Sequence, residues 1–117
     1  MFELNVADLL SSYAGDSREL AFEGEVLPGY YPDLQFTKPL GFQVKLIALD
    51  DGIEVIFEIL QTEVVYEWTT RTISLSNVAR TFKEQYDPIA SDDIKFVDKG
   101  NIDLKDVIHE EILMSIF

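Results

Sequence analysis

One long apolar segment, residues 53–68, changes phase partway along, and this change restricts how the chain can fold. The apolar side chains occupy odd-numbered positions from Ile53 to Ile59 but even-numbered positions from Val64 to Trp68. Successive side chains of a strand point to opposite faces, so one straight strand cannot bury both sets. At ~3.3 Å per residue it would also span roughly 50 Å, whereas a compact chain of this size has a radius of gyration near ~13 Å. The sequence therefore predicts a β-bulge or sharp bend at residues 60–62.

The segment before it, residues 42–49, is predicted to be the first arm of a β-hairpin. Its apolar residues alternate with polar ones, which is typical of a half-buried strand. Asp50-Asp51-Gly52 then has the composition of a tight turn, in which we expect Gly52 to adopt a positive φ. The return arm is the segment with the phase change.

Shorter patterns complete the predicted fold. Alternation predicts further strands at residues 19–27, 34–37, 78–86 and 94–97, although a four-residue spacing also allows a helix at 78–86. Short helical patterns begin at Asn5 and at Asp103, each a good N-cap residue. Tyr30 and Tyr31 are expected to cap an open end of the sheet, with an exposed binding platform as the alternative.

We therefore predict an α+β fold. It comprises a strongly bent antiparallel sheet of about six strands, partly closed, with a short N-terminal helix and a C-terminal helix packed on it. A chain of 117 residues is the size of one ordinary domain, so residues 1–117 are expected to form a single domain.

The charge balance is strongly acidic. Asp and Glu number 22 against 9 Lys and Arg, which gives a net charge of −13. Such a field repels phosphate and favours basic partners, and direct nucleic-acid binding would need a basic patch that no stretch supplies. The alternative is that the acid only keeps the domain soluble. No apolar run reaches ~18 residues and no basic leader opens the chain, so we expect a soluble, unexported, cytoplasmic protein.

Residue types that are typical of catalytic and metal-binding sites are scarce in this chain. Without cysteine, the chain has no disulfide, no cysteine nucleophile and no cysteine-ligated zinc. The only histidine, His109, is expected to be an exposed helix residue, and the acidic pairs at 50–51 and 92–93 do not fit a calcium loop. No phosphate-binding or nucleophile motif occurs. We therefore expect no catalytic residue, no metal and no cofactor. A small enzyme or metal protein is the alternative that convergent carboxylates in a pocket would reveal.

Two blocks resemble a known family. The first is Trp68-Thr69-Thr70-Arg71-Thr72-Ile73. The second runs from Gly100-Asn101-Ile102-Asp103-Leu104 into Val107-Ile108-His109-Glu110-Glu111-Ile112-Leu113-Met114-Ser115-Ile116. Together they resemble the YceD family, the bacterial large ribosomal RNA subunit accumulation proteins. That family typically carries Cys-x-Arg-Cys-Leu where this chain has Thr69, Arg71, Thr72 and Ile73. A metal or redox site built on those cysteines in relatives is therefore not expected here.

The resemblance implies support of large-subunit ribosomal RNA accumulation and ribosome assembly. Combined with the acidic charge, it suggests a basic ribosomal protein or assembly factor as the partner, with the oligomeric state left open. A direct RNA-binding module and a small acidic protein-interaction domain unrelated to ribosomes are the alternatives. The candidate partner-binding residues are Arg71, Trp68, Glu110 and Met114. The alternative role of Arg71 is a surface ion pair with Glu67 or another carboxylate. Glu111, if buried, needs Arg71 or Arg80 as a donor.

Overall fold

The computed structural model describes residues 2–24, 31–84, 89 and 94–116 of the chain. The elements in order are β1 (Glu3–Asn5), α1 (Ala7–Leu10), β2 (Ser17–Gly24), β3 (Gln35–Phe36), β4 (Leu40–Ala48), β5 (Gly52–Tyr66), β6 (Thr69–Lys83), β7 (Ile94–Phe96), β8 (Asn101–Asp103) and α2 (Lys105–Ile116). The fold is mixed α+β and consists mostly of sheet, as the sequence predicted.

Six of the described strands form one sheet in the order β2-β4-β5-β6-β7, with β3 paired to β5 beside this path, while β1 and β8 form a separate two-stranded sheet. The pairs are antiparallel except β6–β7, which is parallel. Among the described residues the sheet is not closed, so the predicted partial closure is wrong. The parallel β6–β7 pair and the separate β1–β8 sheet also depart from the single antiparallel sheet that the sequence predicted.

The predicted irregularity at residues 60–62 is confirmed. The register of β5 on β6 shifts twice, between Phe57 and Ile59 and between Ile59 and Thr62. In the second shift β5 has two residues, Leu60 and Gln61, where β6 has one, and both are exposed. Phe57 and Ile59 before the bulge and Val64 after it are buried. The extra residue therefore lets Val64 face the same core as the odd-numbered set, while Tyr66 is half-buried and Trp68 is exposed.

Thr62 anchors the strand just after this bulge. It is 2% exposed, and its hydroxyl donates to the carbonyl oxygen of Pro39 at 3.3 Å, with that of Lys38 at 3.5 Å. Strand β5 pairs with β4 as far as Ile59 and then with β3 at Val64 and Val65. The hydroxyl thus ties the point where β5 changes partner to the connection between β3 and β4.

The tight turn before β5 forms as predicted, but the role of Gly52 differs. Its φ is not positive; the described glycines with positive φ are Gly15 and Gly100. A Cβ on Gly52 would instead lie 2.1 Å from the carbonyl oxygen of Phe82 on β6. Glycine is needed here because two backbones approach closely, which no periodicity in the sequence indicates.

Neither Asn5 nor Asp103 is the N-cap that the sequence predicted, because Val6 is the N-cap of α1 and α2 begins two residues after Asp103. Each side chain nevertheless accepts the first backbone N–H of its helix. Asn5 lies in β1 and accepts the Ala7 N–H at 3.1 Å, and Asp103 lies in β8 and accepts the Lys105 N–H at 2.9 Å. Sequence analysis missed β1 and β8 because three-residue strands are too short to show alternation. Residues 69–83 form one continuous strand, which excludes the helical alternative for the described part of 78–86.

Helix α2 packs on the sheet through Val107, Ile108 and Ile112. An ion pair between Arg80 on β6 and Glu111 on α2 joins the two elements, and both side chains are mostly buried. Of the two donors that the sequence offered for Glu111, the structure selects Arg80.

We expect Phe57→Ala to destabilise the fold by about 3–5 kcal/mol, the usual range for a core aromatic residue. Phe57 is buried and its ring contacts that of Phe42. Chemical denaturation followed by circular dichroism measures the change. Leu60→Ala is the matched control. Because Leu60 is 49% exposed, this variant should lose far less unfolding free energy. Equal losses for the two variants would contradict the bulge.

We expect Thr62→Val to cost about 1 kcal/mol, because it keeps the shape of the side chain but removes the hydroxyl that satisfies the 38–39 carbonyls. Thr37→Val is the control, since the exposed Thr37 hydroxyl also contacts a backbone carbonyl, that of Glu63 at 3.3 Å. The unfolding free energy should change by no more than ~0.5 kcal/mol for an exposed substitution of this kind. The same denaturation experiment compares the two, and a neutral Thr62→Val would show that the anchor is dispensable.

Candidate functional site

The turn between β5 and β6 consists of only Glu67 and Trp68, with φ values of +48° and +67°. Positive φ at both central residues is the conformation of a type I′ turn, which strongly prefers Asn-Gly, Asp-Gly or Gly-Gly. For a bulky side chain it is strained, by roughly 1–2 kcal/mol per residue. Trp68 is nonetheless 99% exposed. The hairpin tip therefore presents a large aromatic ring to solvent at a cost to folding.

Arg71 follows on β6, within about 10 Å of the tip by strand geometry. It is exposed and pairs in register with Val64, so the two side chains share a face of the hairpin. The predicted ion pair with Glu67 is not among the ion pairs of the described residues. Trp68 and Arg71, two of the predicted partner-binding residues, are thus brought together and left accessible.

Acidic groups lie at the base of the tip. The pKa of Tyr66 is raised by its partial burial, then by the negative charges of Glu67 and Asp33, and by its hydrogen bond with the Glu67 side chain. The phenol is therefore neutral at physiological pH and donates to that carboxylate. The carboxylates of Glu67 and Asp33 therefore both lie close enough to the Tyr66 phenol to act on it.

A cluster that the sequence did not predict links those residues to α2. The Nε2 atom of His109 lies 2.7 and 2.9 Å from the two carboxylate oxygens of Asp33, and its ring stacks on that of Tyr31 at 4.9 Å. The buried Tyr31 hydroxyl donates to the Lys105 carbonyl at 2.9 Å. His109 is therefore not the simply exposed helix residue that we expected. Nothing in the sequence links positions so far apart.

Tyr31 is buried, which excludes the exposed-platform alternative at this residue, while Tyr30 lies outside the described residues. The two other predicted partner-binding residues lie on α2. Glu110 contacts Lys95 of β7 at 3.5 Å, so its carboxylate is engaged at the β7 edge of the sheet. Met114 is 65% exposed. The site that the structure assembles from the prediction is the hairpin tip, with α2 presenting a separate surface.

Two open cavities of about 470 and 490 Å³ occur among the described residues. The first crosses the outward face of β2, β4 and β5, and the second lies between β7, β8 and the start of α2. No group of three His, Asp or Glu side chains in the described ranges is arranged to hold a metal ion. The acidic pair at 92–93 falls outside those ranges. None of the described helices is long and apolar enough to cross a bilayer.

Comparison with known proteins adds no relative to this picture, because no family model, no curated protein and no solved structure matches the chain.

Proposed function

We propose that this protein is a non-enzymatic cytoplasmic factor that supports large-subunit ribosomal RNA accumulation and ribosome assembly by binding a basic ribosomal or assembly protein. The proposal combines the resemblance of two sequence blocks to the YceD family with the geometry of the hairpin tip. The observation that carries it is Trp68, fully exposed on a backbone conformation that disfavours it.

An exposed tryptophan at a position with positive φ destabilises the free protein, but its ring can stabilise a complex. A glycine at position 68 would relax the turn, so folding alone does not account for the residue. Tryptophan and arginine are the residues most enriched among binding hot spots, where a ring enters a pocket and excludes water. Trp68 and Arg71 together supply both types of anchor on one narrow projection.

The charges favour a basic protein over RNA. A net charge of −13 accelerates encounter with basic proteins and repels phosphate. Several of the cations that RNA would need are already engaged: Lys38, Arg80, Lys83 and Lys95 each contact a carboxylate. Both cavities described above are lined by more acidic than basic side chains. A direct RNA-binding role is therefore the less favoured alternative.

We expect Trp68→Gly to leave the fold intact and to raise its stability by up to about 1 kcal/mol, since glycine adopts positive φ without strain. The same variant should lose at least tenfold in affinity for the partner. Thermal denaturation and titration calorimetry measure the two effects. A stabilised protein that still binds normally would remove the tip from the site, whereas a destabilised one would contradict the strained turn.

The partner is tested with purified large-subunit ribosomal proteins, offered as a mixture to the immobilised protein at low and physiological salt. We expect one or a few basic proteins to be retained, with less retention as the screening length shortens to ~8 Å. Tyr13→Ala is the matched control for Trp68→Gly, because Tyr13 is an exposed aromatic residue, 87% accessible, away from the tip.

Two results would redirect the proposal. Micromolar or tighter binding of naked large-subunit RNA at physiological salt would favour the RNA-binding alternative. Retention of no ribosomal protein, with Trp68 still required for binding another basic protein, would favour an acidic interaction domain unrelated to ribosomes.

A further inference from the structure

The outer side of β6 is an open strand edge. Strand β7 pairs only with Thr81–Lys83, at the end of β6. Among the described residues no strand pairs with the outer side of the straight part, Thr69–Leu75, which runs from the tip to the bulge where Asn77 has a φ of +56°. In an antiparallel ladder alternate residues direct their N–H and C=O groups to the unpaired side. With respect to the described strands, this seven-residue edge therefore offers a row of unpaired donors and acceptors.

The two edges of the main sheet differ in their charged side chains, and the difference indicates that the β6 edge binds another chain. Natural proteins protect exposed edges with charged side chains. The β2 edge carries Arg18, Glu19 and Glu23. By contrast, residues 68–83 contain no Asp or Glu, in a chain where 22 of 117 residues are acidic. Between Thr69 and Leu75 the only charged residue is Arg71, and the rest are Thr, Ser, Ile and Leu.

The absence of carboxylates makes this edge suitable for coverage by another chain. A carboxylate beside an incoming backbone would lose its hydration without a partner, which is costly. Threonine and serine hydroxyls are covered at much lower cost because they form hydrogen bonds in place. The acids instead lie one strand further in and at the tip: Glu63 pairs in register with Thr72, and Glu67 forms the turn.

From this arrangement we infer that the β6 edge, Thr69–Leu75, binds an extended segment of a basic protein by strand addition. The inference that the occupant is a basic protein rests on the proposed function. Residues of the added strand opposite Thr72 lie two strand spacings, about 10 Å, from Glu63. Extended Lys or Arg side chains on that face would share the Glu63 carboxylate with Lys38, whose Nζ lies 3.2 Å from it. The opposite face, which carries Arg71 and Ile73, takes apolar side chains. A second copy of the chain is a poor occupant, because two net charges of −13 would be brought together.

The probe is a synthetic ten-residue peptide in which Lys alternates with Val, added to the full chain at low salt. Two derivatives carry N-methyl groups on alternate amides, one derivative for each edge of the strand, and a fourth peptide replaces Lys with Glu. We expect the parent peptide to bind and one N-methyl derivative to bind at least tenfold more weakly. The other derivative should bind as the parent does, and the Glu peptide should not bind.

Hydrogen exchange locates the binding on the protein. Amides of Thr69–Leu75 should be protected by the parent peptide, whereas amides of β2 should not change. Thr72→Lys should weaken binding at least fivefold by repelling the incoming lysines. Ser17→Lys, at the start of the β2 edge, is the matched control and should have no effect.

Equal binding of both N-methyl derivatives, or protection confined to β2, would overturn the inference. So would a dimer in sedimentation that protects the same β6 amides, since a second copy would then be the occupant. These outcomes are independent of the ribosomal assay. Peptide binding without retention of any ribosomal protein would support strand addition and contradict the ribosomal role, and retention without β6 protection would do the reverse.

Discussion

The change of partner along β5 is the constraint on which the rest of the structure depends. The strand pairs with β6 along its whole length on one side, but on the other it leaves β4 after Ile59 and joins β3 at Val64. The extra residue at the bulge and the buried hydroxyl of Thr62 make that exchange possible without turning an apolar face to solvent. Because the strand continues beyond the bulge, the β5–β6 hairpin extends past the β2–β4 layer and carries its tip away from the core. The molecule is accordingly elongated, with principal extents of 45 × 30 × 22 Å.

Helix α2 is fixed from two directions. On one side the mostly buried pair of Arg80 and Glu111 joins it to β6; on the other Tyr31, Asp33 and His109 join it to the connection that precedes β3. A buried ion pair adds little net stability, because removing two charges from water costs about as much as their attraction gains. These contacts therefore specify where the helix lies more than they stabilise the fold. The helix in turn covers the core face of the sheet, and its Glu110 also contacts Lys95 on the edge strand β7.

Local sequence patterns predicted much of this fold, and the features that they did not predict depend on long-range contacts. Alternation and the phase change predicted the β4–β5 hairpin and the bulge, because both depend on which face each residue occupies. The close approach at Gly52, the stacking of His109 on Tyr31 and the parallel pairing of β7 depend on residues distant in the chain, so no window of sequence contains their cause. At the site, the sequence placed Trp68 and Arg71 near a strand bend. It did not indicate the left-handed turn, since Glu-Trp is not a typical turn pair.

Trp68 is also the only tryptophan in the chain, and its near-complete exposure has a practical consequence for spectroscopy. An indole that is already in water has nearly the same surroundings before and after unfolding. Its fluorescence emission should therefore change little when the protein denatures, although the core contains several phenylalanines. The same emission responds to any surface that covers the ring. In this protein intrinsic fluorescence is a poor reporter of folding and a selective reporter of contacts at a single turn.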